Sequence, residues 1–576
     1  MAKSSKFRTV ILLFMFAVGV FFVSRLFPRS SPVAISNGST LVLELGGGYV
    51  EANASSPLAR LAGDDTRPFL GLLSMFRLAE RDDRISTVVM RIQPMGVGWG
   101  KADELRTAID RLQERGKHTI AYLEIANFSS NRELYIASSA DEIYVSPGSV
   151  LPLVGLAAEY IFLGGFWEKI GVEWDVAKAG RYKSAVEQHS QRTMSEASRE
   201  MADSLLDDTY RRFVKGLAEG RGLTTADVIA AIDSGSVRSQ RLEALGLIDG
   251  ELHLDQLLDR YGDVVTHADY ASVDPADLGF VAKAQIALVY GTGTVVQGES
   301  GGSPFGRSPV FASETVSRAI LDAAEDPEIA AIVLRIDSPG GSALASEIIW
   351  RAIVRAKEMG KPVIASFSDV AASGGYYVAV AADAIVSDPS TLTGSIGVFA
   401  LRPAIGGLLK KLEIGVESLT RGRHADFLLS SKKMSPAAHA RLQTSVLDTY
   451  QLFLTRVSQG RGLSLEEVDE RGQGRVWTGQ QAYDLGLVDE LGGIYTAVRR
   501  AKVAAGLDPD DDVYLIPFPG QKTLGEQIFE ALQLTGLRAA GLPYQWPKPL
   551  DQIVAWAKDL PQETLLLIPP ALVDIR

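Results

Sequence analysis

Residues 369–377 read Asp369-Val-Ala-Ala-Ser-Gly-Gly-Tyr-Tyr377, and the way this stretch folds decides the rest. The apolar, β-branched run before it, 362–367, has the length and composition of a buried strand. The small-residue run after it, 374–382, predicts a packed helix. Ser373 is therefore expected where a strand turns into a helix, followed by two glycines that let another backbone come close. Amides at a helix start have no partner inside the helix and favour negative charge. An oxyanion formed beside Ser373 would meet them, which is what acyl-transfer chemistry needs.

Working outward, Ala331-Ile-Val-Leu-Arg-Ile336 predicts a second buried strand. It runs into Asp337-Ser-Pro-Gly-Gly341 and then a helix carrying Ile348, Ile349 and Ile353. Gly341 or Gly340 is one candidate oxyanion donor and Gly374 the other. Each Gly-Gly pair alone reads equally well as a tight turn. Two in one β-α-β unit, one of them attached to a serine, put a site on a level with a pair of plain turns.

The chain repeats itself. Ile85-Ser-Thr-Val-Val-Met-Arg-Ile92 matches Ile329-Ala-Ala-Ile-Val-Leu-Arg-Ile336, an offset of 329 − 85 = 244. Gly116-Lys117 matches Gly360-Lys361 at the same offset, and Ala140-Asp141 and Pro147 match Ala382-Asp383 and Pro389 at 242. Gly220-Arg-Gly-Leu223 matches Gly460-Arg-Gly-Leu463 at 240. So small a drift over so long a stretch means a duplicated domain. Each copy alternates strand and helix, predicting two tandem α/β domains with largely parallel sheets. Their expected bounds are 40–270 and 283–515, joined by a linker at 271–282 and followed by a tail, 516–576, that packs on the second copy.

The copies differ where the chemistry would be. Phe128-Ser-Ser-Asn-Arg-Glu133 stands in copy one where copy two has Val370-Ala-Ala-Ser-Gly-Gly375. Gln93-Pro-Met-Gly96 stands in place of Asp337-Ser-Pro-Gly340. The serine site is expected once per chain, in copy two. A serine hydroxyl needs a base. The histidines are His118, His189, His253, His267, His424 and His439, and a triad with His424 and Asp426 is possible but not demanded. A lysine serves when burial lowers its pKa. Gly180-Arg-Tyr-Lys-Ser-Ala-Val-Glu187 aligns with Gly422-Arg-His-Ala-Asp-Phe-Leu-Leu429, so Lys183 faces Ala425. Copy one holds a lysine without the serine turn and copy two the reverse, which suggests one composite site.

With 576 residues the chain exceeds a single core, and a net charge of −12 argues against nucleic acid as the main partner. The absence of cysteine excludes disulfides, thiolate metal sites and cysteine catalysis. No cofactor or metal site is indicated. Asp369 and Asp383 are expected to cap helices or pair with arginines. Lys3, Lys6 and Arg8 precede an apolar run, 10–23, that extends to Phe27 if Arg25 snorkels. No good small-x-small cleavage site follows, which favours an uncleaved signal anchor over 1–29 rather than a removed signal peptide. The positive-inside rule puts the N-terminus in the cytoplasm and the bulk outside. Residues 30–39 form a polar linker.

Together, Gly180-Arg-Tyr-Lys-Ser-Ala-Val-Glu187, Asp337-Ser-Pro-Gly-Gly341, Ala371-Ala-Ser-Gly-Gly-Tyr-Tyr377 and Thr393-Gly-Ser-Ile-Gly397 closely resemble the signal peptide peptidase A (protease IV) family in its long, duplicated form. The resemblance covers essentially the whole chain. It implies two tandem ClpP/crotonase-like domains after a transmembrane helix, and a Ser-Lys dyad with Ser373 as nucleophile and Lys183 as general base. It also implies that Ser395 hydrogen-bonds and orients that lysine. The substrates it implies are hydrophobic signal-peptide remnants in a bacterial inner membrane, with the catalytic domains periplasmic. The assembly it implies is a homotetramer. Two alternatives of other classes stay open: a crotonase-like acyl-thioester enzyme, which the anchor argues against, and an inactive peptide-binding scaffold.

Overall fold

The computed structural model describes residues 35–51, 66–126, 130–235, 238–300, 310–422 and 424–520, together with the backbone of Leu566–Leu567. The expected anchor, half of the linker after it and most of the tail lie outside the described residues. Among the described residues no helix is long and apolar enough to cross a membrane.

Each copy builds its own sheet. In copy one, β1 (Ser39–Val50), β2 (Ile85–Gly96), β3 (His118–Leu123) and β4 (Glu142–Val145) lie side by side, all parallel. After β3 comes the short helix Asn131–Ala137, and after β4 comes α1 (Gly164–Ile170), β5 (Glu173–Ala179) and the long α2 (Glu196–Arg221). In copy two, β6 (Ala282–Thr292), β7 (Ile329–Ser338) and β8 (Val363–Ala372) are again parallel neighbours. These strands are covered on both faces, so they read as unbroken apolar runs rather than alternating ones. After β8 come α3 (Gly374–Ala379), β9 (Leu392–Gly394), β10 (Val398–Ala404), α4 (Gly406–Lys411) and α5 (Pro436–Arg461). The repeat persists at the level of side chains. Lys117 Nζ donates to the carbonyls of Asp82 and Ile85, and Lys361 Nζ to those of Asp326 and Ile329. Arg221 pairs with Asp249 as Arg461 pairs with Asp489, each at 2.7 Å.

The second domain runs a little further than its expected end at residue 515. Strand β11 (Asp512–Phe518) lies parallel to β6 at the edge of the sheet, with Phe518 opposite Val289. Pro517 argues for a strand end in the sequence, but an edge strand can hold a proline on its unpaired side. The expected linker 271–282 also carries structure, the 3-10 helix Pro275–Leu278, and β6 begins at Ala282.

Two features bind the copies into one body. One apolar cluster runs through both, from Leu43, Phe69 and Ile109 to Leu288, Val333, Ile364 and Ile494, while a second, with Ile332, Leu334, Phe367 and Phe453, lies mainly within copy two. In addition, β5 of copy one crosses over and pairs antiparallel with β10 of copy two, from Ala179 opposite Val398 to Glu173 opposite Ala404. That crossing carries the residues after β5, 180–184, onto copy two. The tail touches the same sheet: the backbone of Leu566–Leu567 lies antiparallel to Gly341–Ser342.

Candidate active site

Ser373 sits, as the sequence predicts, between β8 and α3, and it is fully buried. Its backbone is strained, at φ 55° and ψ −114°, a region that side chains rarely occupy outside functional turns. The Ser373 amide donates to the Gly394 carbonyl at 2.8 Å, fixing the turn against β9. Gly374 follows at the first helical position. A Cβ there would come within 2.7 Å of Ser346 Oγ and 3.0 Å of the Gly341 nitrogen, so the Gly341 amide lies beside the serine turn. Gly341 must itself be glycine, because a Cβ would stand 2.1 Å from the Val295 carbonyl oxygen. Gly340 is not a free donor: its amide already donates to Ser338 Oγ at 3.1 Å, a bond formed because Ser338 caps its own turn. The pair of amides beside Ser373 is Gly341 and Gly374.

Lys183 arrives from copy one. Its Nζ lies 2.7 Å from Ser373 Oγ and donates to the Ser395 carbonyl at 2.9 Å and to Ser395 Oγ at 3.0 Å. Lys183, Ser373 and Ser395 are all 0 % exposed. Ser395 also has a left-handed backbone, φ 52°. Among the described residues no carboxylate forms an ion pair with Lys183. Burial, with nothing to oppose it, holds the Lys183 ammonium well below its ordinary pKa.

A segment that sequence reasoning passed over holds the lysine in place. The Tyr182 amide donates to the Gln473 carbonyl, the Gly474 amide to the Ile396 carbonyl, and the Ser395 amide to the Arg475 carbonyl, at 2.8, 2.7 and 2.7 Å. Residues 472–475 thus clasp the lysine loop and the Ser395 turn together. Gly474 has φ 77°, and a Cβ on it would meet the Lys183 backbone nitrogen at 2.6 Å. The available signal was Gly472-Gln-Gly474 in copy two against Ile232-Asp-Ser234 in copy one at offset 240.

Among the described residues no histidine hydrogen-bonds Ser373. The possible triad does not form, and Asp426 instead accepts from the Ser435 amide at 3.3 Å. In copy one, Asn131 occupies the serine position at offset 242, and its Nδ2 donates to the Gly155 carbonyl at 2.7 Å. The roots of β7 and β8 are pinned from copy one by buried Lys101, whose Nζ reaches Asp337 and Asp369, each at 2.7 Å. Asp369 does receive amides, from Gly98 and Lys101 at the start of Trp99–Glu114, but its cation is a lysine rather than an arginine. Asp383 likewise pairs with Lys357, at 3.1 Å.

A buried serine on a strained turn, a lysine whose burial disfavours its charged form at that hydroxyl, and two amides beside it form a set of groups able to add serine to a carbonyl. The model of peptidase family S49 matches residues 111–265 and 355–508, one match in each copy. The "Serine protease SPPA, chloroplastic" of Arabidopsis thaliana is 35% identical over 454 residues, covering 77% of this chain and 66% of its own length. "Protease 4" of Salmonella typhi is 30% identical over 493 residues, covering 82% of this chain and 77% of its own. Among solved structures, a mutant of the 1510-N membrane-bound stomatin-specific protease is 18% identical with a TM-score of 0.27, covering 41% of this chain and 100% of that one. The class is that of a serine-type peptidase. Within it, the chain belongs to peptidase family S49.

Proposed function

We propose that this protein is a membrane-anchored endopeptidase in which Ser373 is the nucleophile and Lys183 the general base. The observation that carries the reading is the 2.7 Å approach of Lys183 Nζ to Ser373 Oγ in a buried site where no carboxylate among the described residues pairs with the lysine. Neutral Lys183 takes the serine proton as Oγ attacks the peptide carbonyl. The Gly341 and Gly374 amides receive the oxyanion, a donor of this kind being worth about 10²–10³ in rate. The lysine, now charged and held by Ser395, protonates the leaving amine, and the C–N bond breaks. Water, deprotonated in turn by the lysine, releases the acyl group and restores Ser373. Each domain is read as ClpP/crotonase-like. The anchor is placed at residues 10–27 of a bacterial inner membrane, with the domains periplasmic and the substrates hydrophobic signal-peptide remnants. The protein is read as a homotetramer, with no cofactor.

Lys183→Ala should lower hydrolysis of a signal-peptide substrate by about 10²–10⁴, the usual worth of a general base, with its circular dichroism unchanged. A fluorophosphonate should label Ser373 alone. Full activity in Lys183→Ala, or labelling at another residue, overturns the assignment.

A further inference from the structure

Backbone bonds at 472–475 hold the lysine loop to the Ser395 turn, and the side chains around them add a second tie. Tyr182, next to Lys183 in the chain, is 8 % exposed and packs with Met201, Leu205 and Val476. Its hydroxyl donates at 2.8 Å to Oε1 of Glu200, which stands near the start of α2. Arg475 Nη1 donates to the same carboxylate oxygen at 2.6 Å and to the Tyr182 hydroxyl at 3.0 Å. The Arg475 guanidinium lies over two rings, 4.7 Å from the centroid of Tyr182 and 4.5 Å from that of Trp477. Such stacking pre-sets the direction in which an arginine fork points. Together these contacts close a loop through the lysine. From Lys183 the path runs to Tyr182, across Glu200 to Arg475, and from the Arg475 carbonyl to the Ser395 amide at 2.7 Å. Ser395 then returns to Lys183 Nζ through its carbonyl and its hydroxyl. The root and the head of the lysine are thus tied to one carboxylate. Among the described residues Glu200 makes no hydrogen bond to Lys183, Ser373 or Ser395, so it acts through its partners.

The duplication separates this tie from ordinary packing. Helices α2 and α5 align through their serine caps at 435 − 195 = 240, which puts Ala440 at the place of Glu200. At the same offset Gly235 stands where copy two has Arg475, and at 242 His424 stands where copy one has Tyr182. Each member is present in one copy only, as Lys183 and Ser373 are. Contacts that merely hold a domain together recur in both copies, as those of Lys117 and Lys361 do, and those of Arg221 and Arg461. A lone exposed ion pair is worth little, but several charges in a network are a different case. Glu200 is 47 % exposed at its side chain, yet its partner Arg475 is only 15 % exposed. The Tyr182 hydroxyl, and after it Arg475, hold the Glu200 carboxyl below its ordinary pKa.

We propose that Glu200 is a positioning residue for the peptidase reaction, tying Tyr182 to Arg475 so that Lys183 Nζ stays at Ser373 Oγ. This rests on the reading of Lys183 as the general base. Cutting the tie lets Nζ move off the hydroxyl, which slows turnover. It also lets water reach the lysine, which makes the ammonium easier to keep.

The test uses the full-length protein in detergent and a signal-peptide substrate. Glu200→Ala should keep the urea midpoint of the wild type. It should lower kcat about tenfold with KM little changed, short of the ~10²-fold cost of a full 1 Å displacement. The rising limb of kcat/KM should move to higher pH, because water at the lysine relieves the burial that depresses its pKa. Glu200→Gln keeps an acceptor for both donors and should recover most of the lost turnover. Tyr182→Phe removes only the hydroxyl, and it should lower kcat and move the limb in the same direction. A kcat equal to the wild type in both Glu200→Ala and Tyr182→Phe overturns the proposal. So does a lowered urea midpoint with an unmoved limb, the mark of a residue that only supports the fold. Full activity in Lys183→Ala overturns the general-base reading instead, and it is read without reference to any change at Glu200.

Discussion

A fully buried lysine that no carboxylate among the described residues pairs with is easier to discharge than to keep charged, and Lys183 is in that position. Two consequences follow at this residue. In the proposed mechanism the neutral form is the base, so kcat/KM should rise with pH along a limb centred well below the ordinary lysine value of about 10.4. The second consequence concerns stability. The folded-state pKa of Lys183 lies below its unfolded value. Below both values each state holds the proton, and the native state bears the whole cost of burying it. Between them only the unfolded state binds the proton, so stability rises with pH, and above about 10.4 the cost is gone. Lys183→Met should therefore unfold at higher urea than the wild type near pH 7, with the advantage shrinking towards about pH 10. A Lys183→Met protein less stable than wild type at every pH would mean that the bonds to Ser395 outweigh burial. Lys183→Arg keeps its charge at all these pH values and should be as inactive as Lys183→Ala.

The elements deliver the lysine to the serine. Strand β5 leaves its own domain, pairs with β10, and ends at a loop that residues 472–475 hold in place. A Cβ at Gly474 would strike the Lys183 backbone, and the left-handed φ there disfavours any side chain. Gly474→Ala should lower kcat about 10²-fold with KM little changed, the usual effect of a displacement near 1 Å at a reacting group. Unchanged kcat would show that the clasp is dispensable. The same elements show what could be read in advance. Strands β7 and β8 were legible because their apolar runs are continuous, and the duplication was legible because its landmarks keep their spacing. Ser373 and Lys183 could be singled out because each stands where the other copy lacks it. The clasp was not legible, since its bonds are all from backbone amides and leave little trace in side chains. Nor was the strain at Ser373 and Ser395, because positive φ at a serine has no sequence signature. Gly340 and Gly341 could not be told apart until Ser338 Oγ was seen to engage one of them.

On the scale of the whole molecule, the two copies are joined by charge buried in a common core. Arg335, 2 % exposed, reaches Glu51 at 3.0 Å and Glu104 at 2.5 Å, both carboxylates coming from copy one. Burial alone would raise the Glu51 carboxyl, but Arg335 and Lys101 outweigh it and hold it well below the usual range. At Glu104 burial prevails over Arg335, and its carboxyl is raised. Such a cluster need not stabilise more than an apolar core of the same shape, but removing one member strands the others. Arg335→Leu should therefore destabilise by about 3–5 kcal/mol in urea unfolding. The triple variant Arg335→Leu, Glu51→Leu, Glu104→Leu should recover much of that loss, because nothing charged is then left without a partner. Since the apolar core is shared, the copies should unfold in one transition in the wild type, and tryptophan fluorescence and far-ultraviolet dichroism should trace it at the same urea concentration. Arg335→Leu should split that transition, because β7, which carries Arg335, also leads into the Gly340-Gly341 turn beside Ser373. If the single variant costs nothing, or the triple variant is no better than the single one, this cluster does not hold the two halves of the proposed site together.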